Sequence, residues 1–253
     1  MLSSSGSIAL TQEEYWPSAG VELHRCPGER GEPRAAWNGR RPVAVPSWGM
    51  YVPAHFAATD DDVRELLSQG SAADLVTAGP GGLEATMLPF VYDHEKCLLQ
   101  GHFARNNDHW RTIDGAEAMV IVRGPDAYVT PAWYASKAEH GRVVPTWNYV
   151  TAHVHGVVTI HDDVAWLDDL VRRLTDVHER DRPTPWSVDD APERFVAGQL
   201  RAIVGVEVAI TRIDAKVKLS QNRPAADVDG VVAGFSADGD APMAAAVRAH
   251  RPV

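Results

Sequence analysis

From Met50 onward, apolar and polar positions fall into runs that switch between a period of two and a period near 3.6. Asn148 to Ile160 is the longest alternating run. Ala152, Val154, Val158 and Ile160 take one side, and Thr151, His153, His155 and Thr159 take the other. Val204, Val206, Val208 and Ile210 alternate with Gly205, Glu207, Ala209 and Thr211, which predicts a strand with one buried face. Glu117 to Arg123 predicts another strand, and its Met119-Val120-Ile121-Val122 core is apolar on both faces, as in a central strand. Ala73 to Thr77, Glu84 to Val91 and Lys96 to Phe103 read as further strands. The Gly79-Pro80-Gly81-Gly82 stretch leads into a strand rather than a helix, so it reads as a turn and not as a phosphate loop.

The helical signals are equally local. Thr59 precedes Asp60-Asp61-Asp62 and then Val63, Leu66 and Leu67, so a hydroxyl cap and first-turn acids start a helix. Asp163 to Arg180 is amphipathic, with Leu167, Leu170, Val171, Leu174 and Val177 on one stripe. Asp108 to Ile113 and Glu193 to Ala202 are shorter helical pieces, and Gly230 to His250 holds one or two weak helices. Strands dominate the middle with hairpin-length connections. The expected fold is therefore mainly β with α, an antiparallel barrel with peripheral helices and a helical C-terminal region.

Residues 1–49 differ in kind. They are rich in Gly, Pro, Ser and Arg and show no sustained periodicity. They read either as a disordered extension or as a stretch ahead of a true initiator at Met50. Trp16, Trp37 and Trp48 speak against simple disorder. The expected division is 1–49 as extension, 50–235 as the barrel domain and 236–253 as a weakly helical tail.

Composition narrows the function classes. Hydrophobic residues make up 45% of 253, enough for a sizeable core. No run approaches the roughly 20 apolar residues that cross a bilayer, and no basic-then-apolar leader opens the chain, so a cytoplasmic location is expected. Only Cys26 and Cys97 are present, far apart, which gives no metal-ligand spacing. Cys97 reads as an inert thiol in an apolar strand. The formal net charge is −10. Residues 1–49 carry five Arg and five Glu, so the whole acidic excess lies in 50–253. No basic stripe and no helix-turn-helix pattern is visible, so direct contact with duplex DNA is not expected.

The chemistry concentrates in four segments. Gly101-His102-Phe103-Ala104-Arg105-Asn106-Asn107-Asp108-His109-Trp110 gathers imidazole, guanidinium and amide groups at a strand-to-helix junction, a setting that suits an anion. Tyr128 to Tyr134, Val144 to Tyr149 and Lys218 to Pro224 follow. Together with Met50-Tyr51-Val52-Pro53-Ala54-His55-Phe56, their order and wording resemble the PaiB-type family, the FMN-binding negative transcriptional regulators. The resemblance covers about residues 50 to 235. It implies the FMN-binding split barrel, similar to that of pyridoxamine-phosphate oxidase, with FMN as cofactor and a homodimer as the working unit.

Flavin mononucleotide asks for cations or N–H donors at its phosphate, polar partners along its ribityl chain and an apolar slot for its ring. Arg105 offers a forked contact to the phosphate. His102, Asn106 and Thr130 offer neutral polar contacts. Thr86, Met87, Leu88 and Pro89 are placed beside the ring by similarity to the fold. Trp110, Trp147 and Asn148 complete the candidate set from the middle segments. Lys218, Ser220, Gln221 and Asn222 are expected to reach the flavin, across to the partner subunit's cofactor, with Lys218 near the ring as a stabiliser of the anionic reduced form.

Each has a plainer alternative. Arg105 can be a surface ion-pair partner. Trp110, Trp133 and Trp147 can be core or dimer-interface residues. Ser220-Gln221-Asn222 can simply turn the chain before Pro224. His153 and His155 share a strand face with His161 further along, but no third ligand has suitable spacing, so no metal is expected. No residue is marked as catalytic. Three functions remain open: an FMN-binding regulator that represses transcription, directly or indirectly; an FMN-dependent oxidoreductase acting on a small molecule; and a flavin-free dimeric interaction module.

Overall fold

A computed structural model describes residues 49–79 and 81–252. The expectations for residues 1–49 therefore fall, save for Gly49, outside the described residues.

The helix expected after Thr59 is α1 (Asp60–Ser68). The Thr59 hydroxyl accepts from the Asp62 amide at 3.2 Å, and the Thr59 amide donates to the Asp62 carboxylate at 2.7 Å, closing a reciprocal cap. Six strands follow: β1 (Ala72–Gly79), β2 (Gly82–Asp93), β3 (Leu98–Ala104), β4 (Glu117–Val129), β5 (Thr146–His161) and β6 (Ile203–Lys218). They close into an antiparallel barrel in the order β1-β2-β3-β6-β5-β4. Between them lie α2 (Ser136–His140), α3 (Val164–Glu179) and α4 (Glu193–Leu200), and α5 (Ala225–Ala237) and α6 (Ala241–Ala249) end the chain. The expected mainly-β barrel with peripheral helices is what forms. No helix among the described residues is long and apolar enough to cross a membrane.

Inward residues of every strand fill the barrel. Leu75, Phe103, Val120, Ala152, Val154, Val204 and Val206 are all fully buried. Val63, Leu66 and Leu67 of α1 join the same core.

Two strands run well past their predicted ends, for one reason. β6 continues from Ile210 to Lys218, and its pairing with β5 shifts between His155↔Arg212 and Gly156↔Ile210. The extra residue reverses which positions face inward. Val204, Val206 and Val208 are buried before the bulge, and Ile213, Ala215 and Val217 after it. A strict period of two cannot follow the strand through that reversal. β4 does the same between Arg123 and Asp126. β3, in turn, begins one residue after Cys97. That residue sits in the preceding turn at φ 55 rather than in the strand.

The C-terminal segment is packed, not trailing. α5 runs across position 235, and Met243, Ala244 and Val247 of α6 are buried in the core. Small Ala and Gly side chains give these helices little polar contrast, so their burial was hard to see in sequence. α5 docks closely on the Pro131–Trp133 turn. A Cβ at Gly230 would lie 2.0 Å from the Trp133 carbonyl oxygen, and one at Gly234 would lie 2.2 Å from the Trp133 ring.

Candidate functional site

Three of the four sequence segments converge at one end of the barrel. The register pairs Val129 with Thr146, Tyr128 with Trp147 and Tyr149 with Lys218. The end of β4, the start of β5 and the end of β6 thus lie side by side. An open cleft of about 550 Å³ lies on the outer face here, lined by Ile121, Arg123, Gly124, Asp126, Trp147, Tyr149, Val150, Thr151 and His153. The β4 bulge makes the cleft, because it turns Asp126 outward two positions before Tyr128. Trp147 is half exposed, donates its Nε1–H to Asp126 at 2.8 Å and meets Tyr128 edge-on.

Two lysines lie on β6, the strand next to β5. Lys216 and Lys218 face outward opposite Thr151 and Tyr149. Their ammonium groups stand 5.5 Å and 5.8 Å from the Tyr149 ring centroid. Lys216 is nearly buried, since the segment before α1 lies over it and the Tyr51 carbonyl accepts its proton at 3.1 Å. Lys218 donates to the Thr146 hydroxyl and to the Trp147 carbonyl. Burial, and then the charges of Lys216 and Arg223, pull the Lys218 ammonium below the usual lysine range.

The rest of the predicted set at this end has structural duties. Thr130 caps the Pro131–Trp133 turn by accepting from the Ala132 amide at 3.2 Å. Asn148 points into the barrel, fully buried, and accepts from the Ser220 hydroxyl at 3.1 Å. Its Nδ2 has no partner. Ser220 sits at φ 70. Gln221 folds back to bond the Leu219 amide and the Val217 carbonyl at 2.7 Å each. Asn222 is exposed. Trp133 packs against Phe235 of α5, with ring centroids 4.9 Å apart.

The first segment lies at the opposite end. Ala104 pairs with Ile203, the first residue of β6, whereas Lys218 is its last. Arg105 is held by four hydrogen bonds within the chain. It grips the Asp162 carboxylate with both terminal nitrogens and donates to the Arg201 and Ile203 carbonyls at 2.8 Å and 2.9 Å. That hydrogen-bonded pair lifts Arg105 above its ordinary range and holds Asp162 below its own. Phosphate cannot have this guanidinium without displacing a carboxylate and two carbonyls. Trp110 donates to the Arg105 carbonyl at 3.1 Å, and Asn106 is exposed.

His109, rather than His102, is the organising imidazole of that segment. It is buried, bonded to Thr77 at 2.8 Å and to Thr86 at 2.9 Å, with Asn107 also donating to Thr86. Thr86 is therefore a clasp for the Asp108–Thr112 turn. Met87 next to it is largely exposed, Leu88 is core and Pro89 is half-buried. His102 lies on the outer face under α3. It pairs with Gly205, whose other neighbour is His161. His161 stacks on Trp166 at 4.1 Å, and the missing Gly205 side chain makes room, since a Cβ would lie 2.2 Å from Trp166. Burial pushes the His102 imidazole below its usual range.

His153 and His155 face outward as expected. They belong to a charged network: His155 and Arg212 each approach Asp214, at 3.5 Å and 3.3 Å. Burial is the main cause that lowers both imidazoles. Among the described residues no group of three or more His, Cys, Asp or Glu is arranged for a metal ion.

Tyr149, Lys216 and Asp126 were missed from sequence, although Tyr149 lies within a recognised segment. Lys216 carried no local signal, because only the register of β5 against β6 sets it beside Tyr149.

The groups present fit a flavin nucleotide. The cleft has the volume of a small-ligand site, typically about 300–1,000 Å³. Ile121, Val150, Trp147 and Tyr149 supply apolar and aromatic walls. Thr151, His153 and Arg123 supply polar and cationic groups.

Comparison with known proteins agrees. Residues 50–212 match the family described as "Putative FMN-binding domain". "Protease synthase and sporulation protein PAI 2" of Bacillus subtilis is 32% identical over 192 residues, covering 72% of this chain and 87% of that protein. An uncharacterized protein of Emericella nidulans is 30% identical over 226 residues, 74% of this chain and 90% of its own. Among solved structures, a conserved hypothetical protein from Mycobacterium tuberculosis superposes with a TM-score of 0.51 at 12% identity. The match covers 69% of this chain and 94% of that one, a likeness of fold alone.

Proposed function

The chain belongs to this FMN-binding family, and from that premise we propose that it holds FMN in the open cleft over β4 and β5 and acts as a regulator. The observation that carries the placement is a cleft with aromatic and apolar walls, Trp147 and Tyr149 among them, at the barrel end where three sequence segments lie side by side. When bound, FMN supplies electron and hydride transfer. The chain's own residues do the holding. Ile121, Val150 and Trp147 exclude water from the ring. Thr151 and His153 offer hydrogen bonds at its edge, and His153 does so as a neutral imidazole because burial lowers it.

The cleft is open on one side, and the surrounding outer sheet face carries the half-buried Val76, Met119 and Ile121 and the exposed Val157. A homodimer that covers this face closes the site. PAI 2, by its name, concerns protease synthesis and sporulation, and a negative regulatory role is the reading proposed for this chain. Repression then works without direct operator contact, because the net charge of −10 opposes phosphate binding over most of the surface. A second reading, an FMN-dependent oxidoreductase, draws on the same openness, which lets a small molecule reach the ring.

The test is titration of the purified protein with FMN while flavin fluorescence and the visible spectrum are followed. Saturable binding of one FMN per chain is expected. A chain that leaves the flavin signal unchanged at every concentration refutes the assignment and favours a flavin-free module.

A further inference from the structure

We infer that Cys26 and Cys97 form a reversible intrachain disulfide, an oxidative modification site that ties the N-terminal extension to the barrel. The inference goes beyond the flavin reading and does not depend on it. It also replaces the inert thiol expected at position 97.

The chain holds two cysteines, Cys26 and Cys97. Among the described residues no cysteine is free, and the Cys97 sulfur is in a disulfide. Cys26 lies outside the described residues, and it is the one other cysteine that the chain can supply. The backbone at Cys97 is unusual as well. Its φ of 55 is in the left-handed region, where a Cβ crowds the following carbonyl and where glycine, asparagine or aspartate is the usual occupant. Strain of this kind clusters at functional positions. Chain geometry permits the bond. The described chain begins at Gly49, and the Met50 amide donates to Asp214 of β6 at 3.4 Å. A Cβ at Gly49 would lie 3.3 Å from the same carboxylate. The Cys97 carbonyl accepts from the Ile210 amide of β6 at 3.0 Å. The start of the described chain and Cys97 are thus docked on one strand, at positions roughly 13 Å apart by the rise of a strand. Residues 27–48 separate Cys26 from Gly49, and a chain of that length can reach up to about 70 Å. The link spans the gap with slack, so closing it costs chain entropy rather than strain.

In a reducing compartment glutathione keeps such pairs as thiols, so the bond forms only under an oxidant. A low-molecular-weight disulfide, oxidised glutathione, suffices. One cysteine thiolate attacks it, forms a mixed disulfide and releases one glutathione thiol. The other cysteine thiolate then displaces the second glutathione as the Cys26–Cys97 bond closes. The protein loses two electrons and two protons, and both pairs are recovered in two molecules of reduced glutathione. Oxidation ties position 26 back to the barrel, and reduction releases it.

The experiment uses the full chain, first reduced and then freed of reductant. Thiols are counted with a chromogenic thiol reagent in denaturant, before and after treatment with oxidised glutathione. The count should fall from two to none. It should fall to the same extent over about a tenfold range of protein concentration, because an intrachain reaction has a fixed effective concentration. Mass spectrometry of the unreduced tryptic digest should show peptide 26–30 joined to peptide 97–105, two hydrogens lighter than the reduced pair. Added reductant should separate them and restore both thiols. Cys26→Ser, a change that precedes every strand of the barrel, should lose the cross-link while keeping the circular dichroism of the wild type. Two thiols that survive oxidation, a cross-link joining Cys97 of two chains, or glutathione left on Cys97 as the stable product each overturn the inference. All three outcomes leave the flavin titration, and the reading it tests, untouched.

Discussion

Replacing a helical glycine by alanine ordinarily stabilises a helix by up to about 1 kcal/mol, because glycine loses more backbone freedom. In α5 the sign should invert. A Cβ at Gly230 would lie 2.0 Å from the Trp133 carbonyl oxygen, and one at Gly234 would lie 2.2 Å from the Trp133 ring. Ordinary contact requires 3.4 Å or more, so α5 must retreat by more than an ångström. The retreat disturbs the Trp133–Phe235 edge contact at 4.9 Å and the buried bonds from Ser136 to Asp227 at 2.8 Å and 2.7 Å. It also loosens the fully buried Val228 and Val231. Overpacking of this kind costs about 1–3 kcal/mol. With the propensity gain subtracted, a net loss of up to about 2 kcal/mol remains, or a fall in Tm of up to about 8 °C for a chain this long. Gly198→Ala in α4 is the control, since its nearest neighbour would be the Arg201 guanidinium at 4.0 Å. Thermal unfolding by circular dichroism should show Gly198→Ala level with or above wild type, and Gly230→Ala and Gly234→Ala below it. A raised Tm in either α5 variant would refute the close docking of α5 on Trp133, and with it the placing of Trp133 as a packing residue rather than a flavin contact.

Arg105→Ala should leave FMN affinity in a fluorescence titration unchanged while lowering thermal stability, because it strands Asp162 and two carbonyls; a large loss of affinity would return the phosphate to Arg105. Lys218→Met without flavin should be at least as thermostable as wild type near neutral pH. Its folded-state ammonium lies below the usual range, so charging it opposes folding; a clear drop in Tm contradicts that. Acidification should weaken the fold in two stages. His102, His153 and His155 are lowered by burial, so the unfolded chain takes up protons first, and stability declines as pH falls below about 6.5. Asp62 and Asp162 are held low, so their contribution is full above their ordinary range and is lost as pH falls through and below it. A Tm independent of pH between neutral and mildly acid conditions argues against buried neutral imidazoles. Sedimentation at micromolar concentration should show a dimer, and Ile121→Glu on the outer sheet face should yield monomer; an unchanged dimer would move the interface elsewhere.

The sequence by itself determined whatever depends on neighbours a few residues apart. The Thr59 cap, the α3 stripe and the Val204–Val208 alternation are local, because helix and strand periods bring those side chains to one face. The order of the four segments likewise determined the family and the cofactor class. Three things were settled only in the tertiary structure. Bulges in β4 and β6 reverse the inward face, so each strand outruns its own pattern. Arg105 meets Asp162 across 57 residues and forms an ion pair there. Lys216, Lys218 and Tyr149 come together through the pairing of β5 with β6, more than sixty positions apart in the chain. Which charges are neutralised and which are left without a carboxylate among the described residues depends on that pairing. A strand's register is fixed by the whole barrel closing around its core, and no stretch of sequence states it alone.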